Sequence, residues 1–87
     1  MKWRIAWTKS ARNDLITAWL ASPADRQAIT AASRRIEEEL QYDPDFKGED
    51  FYGDRIFQYG PLACAYRLLP EQGKVRIKHV IRIREQH

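Results

Sequence analysis

The segment from Val75 to Arg84 constrains the fold most, because its apolar and basic residues alternate almost without exception. Successive side chains of a β-strand point to opposite faces, so the alternation predicts a strand with one buried face and one charged face. The buried face is predicted to consist of Val75, Ile77, Ile81 and Ile83. The charged face is predicted to carry a row of cations, which are Arg76, Lys78, Arg82 and Arg84.

A row of cations on one side of a sheet can bind a polyanion, and nucleic acid is the first polyanion to consider. The alternative is a solvated sheet face without a ligand, because antiparallel sheets often leave one side in water. The charge distribution is uneven: residues 1–35 and 55–87 are net basic, whereas residues 36–54 are net acidic. The acidic segment either offsets basic surface within the fold or orients a polyanion by repelling it from one side.

The chain length of 87 residues predicts a single domain over residues 1–87. Cys64 is the only cysteine, so no intramolecular disulfide is expected, and no cluster of Cys and His has the spacing of a zinc site. We therefore predict no metal and no small-molecule cofactor. The sequence shows neither the apolar run of a signal peptide nor a membrane span, so we expect a cytoplasmic protein without membrane contact.

Periodicity along the chain predicts the element order β-α-α-β-β-β. Thr8 or Ser10 caps the first helix, and Ser22 begins the second in a variant of the capping box. Two amphipathic helices are expected to pack on one face of a four-stranded, mostly antiparallel sheet, which makes an α+β fold. The predicted strands are residues 3–7, 55–59, 62–69 and 75–84, and residues 43–54 are predicted to form a polar loop.

The strand at 62–69 adds a cation to the predicted basic surface. Its bulkier side chains share one parity and suit the face that the helices cover. Arg67 has the other parity, so it is predicted to lie on the face exposed to solvent. The parity of residues 55–59 leaves undecided whether Phe57 and Tyr59 flank this surface. The residues expected inside the fold or packed against it are His79, Cys64, Trp3, Trp7, Trp19, Phe46 and Phe51.

The order and spacing of these features resemble the RelE/ParE superfamily of toxins from type II toxin–antitoxin systems. The resemblance covers nearly the whole chain, and its most telling part is the glycine turn and strand from Tyr59 to Arg67. The remaining matches are the 3–7 strand, Ala11, Asp14-Leu15, Ile36, Leu40, Asp43-Pro44, Gly48-Glu49, Val75-Arg76-Ile77 and Val80.

The resemblance implies a toxin that a cognate antitoxin holds inactive. RelE-like members cut messenger RNA on the ribosome, with basic residues orienting the phosphate and stabilising its developing charge. ParE-like members poison DNA gyrase and are not nucleases. The target implied for this chain is therefore either ribosome-bound mRNA or DNA gyrase, and the sequence leaves open whether the chain is an enzyme.

Carrying the nuclease residues over to this chain gives Arg67, Arg82, Arg84 and His87 as candidate catalytic residues. The candidate nucleic-acid-binding residues are Arg55, Arg67, Arg76, Lys78, Arg82 and Arg84. Two positions depart from the nuclease pattern, because Ala63 and Ile83 stand where the resemblance implies basic residues. An arginine is always protonated and is a poor base, so the proton acceptor would be Glu85, His87 or Tyr59.

Three hypotheses follow from the sequence. The first is a toxin that cleaves mRNA on the ribosome, and the second is a toxin that binds its target without catalysis. The third is a degenerate toxin that retains only the binding of its antitoxin. The departures at Ala63 and Ile83 favour the second hypothesis over the first.

Overall fold

The computed structural model describes residues 2–83, so Arg84 and His87 lie outside the described residues. Five strands and two α-helices make up this part of the chain. The strands are β1 (Arg4–Trp7), β2 (Glu49–Phe51), β3 (Asp54–Tyr59), β4 (Leu62–Leu69) and β5 (Lys74–Arg82). The helices are α1 (Lys9–Ala21) and α2 (Arg26–Leu40), with short 3₁₀ turns at Pro23–Asp25, Pro44–Phe46 and Pro70–Gln72.

The strands form one mixed sheet in the order β1-β5-β4-β3-β2. The central strands β3, β4 and β5 form the predicted antiparallel meander, and β1 pairs in parallel with β5 at the edge. Both helices cover the same face of the sheet, which gives the predicted two-layer α+β architecture. The buried core between the layers contains Ala11, Ile29, Ala32, Ile36, Leu40, Leu62, Cys64, Tyr66, Val75, Ile77 and Val80.

The sheet has five strands where four were predicted, because part of the 43–54 loop forms β2. This strand is only three residues long, and all three side chains are exposed, so its sequence lacks the alternation that marks a half-buried strand. A two-residue turn at Tyr52 and Gly53 joins it to β3, with φ values of 50° and 89°. Positive φ at both central residues is typical of the tight turns that connect hairpin strands.

The segment before β2 is held by polar contacts from the sheet. The Tyr66 hydroxyl lies 2.7 Å from the Pro44 carbonyl and 2.6 Å from the Lys47 carbonyl, and it donates to this pair of oxygens. Arg55 donates to the Lys47 and Gly48 carbonyls at 2.8 and 3.0 Å. Phe46 was predicted to pin this segment but is exposed, as is Phe51. The buried hydroxyl and the guanidinium take that role instead.

A β-bulge in β5 changes which side chains reach each face. Ala65 pairs with His79 and Tyr66 pairs with Ile77, which leaves Lys78 as an extra residue in β5. The alternation predicted from Val75 onward therefore holds only as far as Ile77. Beyond the bulge, the buried residue is Val80.

The bulge overturns two predictions about burial on β5. Ile81 was expected in the core, but it is 62% exposed. His79 was also expected to be packed inside, and its side chain is 62% exposed. Side chains alternate along the strand, so one extra residue moves both of them to the opposite face.

The entry into α1 explains why the bulge lies there. Thr8 caps the helix as predicted, since its hydroxyl accepts from the Ala11 amide at 3.0 Å. The same hydroxyl donates to the Lys78 carbonyl at 3.0 Å, and Asp14 accepts from the Val80 amide at 3.1 Å. Once β1 has ended, these side chains bind the outer edge of β5, which would otherwise have unpaired backbone groups.

Two further predictions about the helices are wrong. Ser22 makes no side-chain capping bond, and a 3₁₀ turn precedes α2 in place of the predicted capping box. Trp19 is exposed rather than buried, and the Arg26 guanidinium lies 4.1 Å from its ring centroid. Trp3 and Trp7 are half-buried against the core, which agrees with their predicted placement.

Candidate functional site

The sheet face that is turned away from α1 and α2, here called the open face, carries five cations within residues 2–83. The strand registers place them there, because each alternates with a residue that points toward the helices. We call this set the cationic cluster; it consists of Arg4, Arg67, Lys74, Arg76 and Lys78. Three of these residues were predicted to bind nucleic acid, namely Arg67, Arg76 and Lys78.

Asp54 holds two members of the cluster together. Its carboxylate accepts from Arg67 Nε at 2.8 Å and from Lys78 Nζ at 3.0 Å. The Lys78 hydrogen bond is the largest cause that lowers the pKa of Asp54 below its ordinary value, and Arg67 adds to the effect. Asp54 therefore stays ionised at neutral pH and offsets part of the positive charge.

Arg76 is the most available cation of the cluster. It lies directly opposite Arg67 in the β4–β5 register, and its side chain is exposed. Within residues 2–83 it forms no ion pair, and its neighbour on β1 is the small residue Ala6. Two guanidinium groups on adjacent strands repel each other, so an anion placed between them would be stabilised by both.

Arg82 is not part of this surface. Beyond the bulge it shares the parity of buried Val80 and points toward the helices, where it pairs with Asp25. Its Nε is buried without a hydrogen-bond partner in the described part of the chain. The prediction that Arg82 projects from the same face as Arg76 is therefore wrong, because the bulge was not visible in the sequence.

Arg55 also differs from the expectation, because its donors are used inside the protein. Besides its bonds to the 47–48 carbonyls, it pairs with Asp50 at 3.1 Å, and its side chain is largely buried. Its strand parity places it on the helix side, together with Phe57 and Tyr59. These three residues do not flank the open face.

His79 is a residue that the sequence reasoning assigned to the core. It is exposed, it pairs with Ala65 across the strands, and its Nδ1 lies 3.4 Å from the Asp14 carboxylate. The same Asp14 oxygen accepts from the Val80 amide, so the contact places the His79 ring next to α1. No sequence signal marks this pair, because Asp14 and His79 are distant in the chain and the bulge exposes His79.

Arg84 and His87, both candidate catalytic residues, lie outside the described residues, as does Glu85. The position where the resemblance implies an arginine is Ala63, which is uncharged and buried on β4. No group of His, Cys, Asp or Glu suited to holding a metal ion occurs in residues 2–83. In that same range, none of the helices has the length and apolar character needed to cross a membrane.

The fold is similar to that of two solved toxin–antitoxin structures. A chain of the RelBE2 toxin–antitoxin complex from Mycobacterium tuberculosis superposes with a TM-score of 0.78 at 20% identity, over 94% of this chain and 99% of that chain. A chain of the chromosomal ParDE TA system from P. aeruginosa gives a TM-score of 0.67 at 17% identity, over 95% of this chain and 98% of that chain. No protein-family model and no curated protein matches the sequence.

These likenesses confirm the predicted RelE/ParE-like fold. They extend over nearly the full length of both chains, so the shared architecture includes the sheet, the two helices and their order. At this level of identity the fold is shared while side chains differ, and function has to be argued from the site.

Proposed function

We propose that this chain is the toxin of a type II toxin–antitoxin system and acts in the cytoplasm through its open face. The observation that carries the proposal is the cationic cluster, whose five cations lie on a face that neither α1 nor α2 covers, with the Asp54 carboxylate paired to Arg67 and Lys78. Such a surface attracts a polyanion over a distance of about 10 Å and so favours an RNA-containing target.

The proposal includes a cognate antitoxin that keeps the toxin inactive. Both structural neighbours come from toxin–antitoxin systems, and the first is a complex of the two components. An acidic segment of the partner could neutralise the cationic cluster, since opposite potentials favour fast and specific association. Co-expression of the adjacent open reading frame tests this, because a true antitoxin restores growth and co-purifies with the chain.

Growth under induced expression is the first test of the toxin assignment. We expect induction of the chain without its antitoxin to arrest growth, and induction of both genes to allow it. Normal growth at high levels of folded chain would contradict the assignment. Tight antitoxin binding without growth arrest would point instead to the degenerate toxin.

A second question is whether the toxin cleaves RNA. The exposed imidazole of His79 on β5 is the feature that favours cleavage. In such a reaction the ribose 2′-oxygen attacks phosphorus while the bond to the 5′-oxygen breaks. His79 Nε2 would take the 2′-hydroxyl proton, and the 5′-oxygen would receive a proton from water. Arg67 and Arg76 would stabilise the charge that develops on the phosphate. Ala63 and the inward Arg82 favour the alternative, a toxin that binds without catalysis.

Mapping of mRNA 3′ ends in a translation extract separates these mechanisms. If the chain is a ribosome-dependent endoribonuclease, new ends should appear on translated mRNA, and His79→Ala should remove them while leaving the fold intact. Growth arrest without new ends would exclude cleavage. A gyrase supercoiling assay then tests the remaining alternative, the ParE-like inhibitor of DNA gyrase.

A further inference from the structure

The β2–β3 hairpin carries two exposed aromatic side chains at the border of the cationic cluster. Tyr52 occupies the tip of the hairpin and is 92% exposed, and Phe51 beside it is 56% exposed. Their ring centroids are 4.9 Å apart with an interplanar angle of 81°, so the two rings meet edge to face. A contiguous pair of exposed aromatic side chains is typical of a surface that contacts a partner.

The backbone at Tyr52 adopts a conformation that is unfavourable for an aromatic residue. Its φ of 50° lies in the left-handed region, where Asn, Asp and Gly are favoured and a bulky residue is strained. Its ring contacts Phe51 but is otherwise in solvent, so core packing does not explain its presence. A strained residue that the fold does not need indicates a function outside the fold.

The hairpin and the cationic cluster form one continuous surface. Phe51 pairs with Asp54 in the β2–β3 register, so both side chains point to the open face. Asp54 in turn binds Arg67 and Lys78. The Arg67 guanidinium also lies close to the turn, since a Cβ built on Gly53 would be 3.5 Å from Arg67 Nη2.

We propose that the hairpin and the cationic cluster together bind a single strand of nucleic acid, with unpaired bases stacked on Phe51 and Tyr52. Arg67, Arg76 and Lys78 contact the phosphates of the same strand. This inference rests on the proposed function and defines its ligand more closely. Cations that follow a backbone, next to aromatic rings that receive bases, are the combination by which proteins select single strands over duplexes.

A duplex fits this surface less well, because its bases are already stacked on one another and cannot reach the rings. An acidic segment of a protein partner would also pair with these cations, and the oligonucleotide measurements below distinguish the two ligands. The Asp54 carboxylate does not oppose the proposal, since its charge is already shared between Arg67 and Lys78.

Fluorescence anisotropy with labelled oligonucleotides tests the inference on the full chain. The probes are a single-stranded RNA of about 12 nucleotides, the same RNA annealed to its complement, and an abasic strand of equal length. We expect the single strand to bind at least about fivefold more tightly than the abasic strand, which has the phosphates but no bases. Equal affinity for all three probes would overturn the inference.

Two variants and a control test whether the bases stack on the hairpin. Tyr52→Asn suits the left-handed turn and removes the ring, and Phe51→Leu keeps the apolar bulk. Each should weaken binding of the single-stranded RNA at least about fivefold and leave binding of the abasic strand unchanged. Phe46→Leu is the matched control, because Phe46 is 83% exposed but belongs to the segment that Tyr66 holds on the helix side. It should bind as the wild type does.

The outcomes separate this inference from the proposed function. Wild-type affinity of Tyr52→Asn and Phe51→Leu for the single strand would overturn the stacking site even if the chain arrests growth. Loss of growth arrest in Tyr52→Asn with unchanged RNA affinity would assign the hairpin to a protein partner, which also overturns it. Selective RNA binding by a chain that does not arrest growth would support the stacking site and count against the toxin.

Discussion

Lys78 decides which side chains of β5 reach the open face. As the extra residue of the bulge, it keeps Arg76 and Lys78 on the open face and exposes His79 beside Asp14 of α1. A regular strand would have placed Arg82 there and His79 in the core. The bulge thus removes Arg82 from the open face and exposes the His79 imidazole.

Two isoleucines on β5 test the bulge directly. Ile77 is fully buried, so Ile77→Ala should lower the free energy of unfolding by about 3 kcal/mol through lost burial and the cavity left behind. Ile81→Ala should cost less than about 1 kcal/mol, because that side chain is mostly in solvent. Urea denaturation measures both values. Equal costs would mean that the strand is regular and that the bulge is absent.

Gly48 is required by its surroundings as well as by its backbone. Its φ is 71°, and a Cβ would lie 2.2 Å from the Ile56 carbonyl oxygen. Gly48→Ala should therefore cost more than about 2 kcal/mol, since β2 has to move away from β3. Gly73→Ala is the control, because Gly73 has a φ of 60° but nothing within 4 Å. It should cost about 1 kcal/mol from backbone strain alone. Similar values for the two variants in denaturant titrations would contradict this account.

The contact between the 3₁₀ turn and the end of β5 is structural. Arg82 links β5 to Asp25, and reversing its charge would place two carboxylates together in a half-buried position. We expect Arg82→Glu to lower the unfolding free energy by about 2 kcal/mol or more. A thermal melt by circular dichroism reads this out. A melting temperature equal to that of the wild type would contradict a structural role for the Arg82–Asp25 pair.

The strands β3, β4 and β5 are tied together by Asp54, and this element of stability depends on pH. Because its pKa is lowered in the fold, Asp54 contributes stability that is present in full above the ordinary carboxyl pKa of about 3.9 and is lost as pH falls below it. Asp54→Asn should therefore cost about 1 kcal/mol at neutral pH and little in acid. Unfolding titrations at several pH values measure the difference.

Asp50→Asn is the control for this pH dependence. Asp50 pairs with Arg55 but is 88% exposed in its side chain, so its loss should cost less than about 0.5 kcal/mol. A cost for Asp54→Asn that does not change with pH would show that the ion pairs with Arg67 and Lys78 are not its source.

Most of the elements could be predicted from the sequence, since each has a period or a boundary residue. Thr8 marks the start of α1, and the alternation from Leu62 to Leu69 marks β4. Other features depend on tertiary contacts that the sequence does not display. The bulge depends on Thr8 and Asp14 reaching the edge of β5, and β2 depends on the close approach that Gly48 allows.

The candidate site was predicted in part for the same reason. Arg67, Arg76 and Lys78 precede or define the bulge, so the parity argument placed them on one face correctly. Arg82 and His79 follow it, and both were assigned to the wrong side. Arg55 was misjudged because a cation at the end of a strand can bind loop carbonyls, which no periodicity reveals.

At the scale of the whole molecule, one face of the sheet is used for the core and the other for charged side chains. The helices bury one side of the sheet and provide the core, so the other side can carry charges without a cost in packing. The acidic residues of the described chain lie mostly on the helix side or in the loop before β2, whereas Asp54 and Glu49 lie on the open face. The open face therefore carries an excess of positive charge, which favours association with a polyanion.

The central claim is that this positive face carries the toxic activity, and a matched pair of charge reversals tests it most directly. Arg76→Glu changes an exposed arginine of the open face, and Arg34→Glu makes the same change on the exposed side of α2. Growth is followed after induction of each variant at equal levels of folded chain. We predict that Arg76→Glu abolishes growth arrest while Arg34→Glu retains it; arrest by Arg76→Glu at the wild-type level would contradict the account.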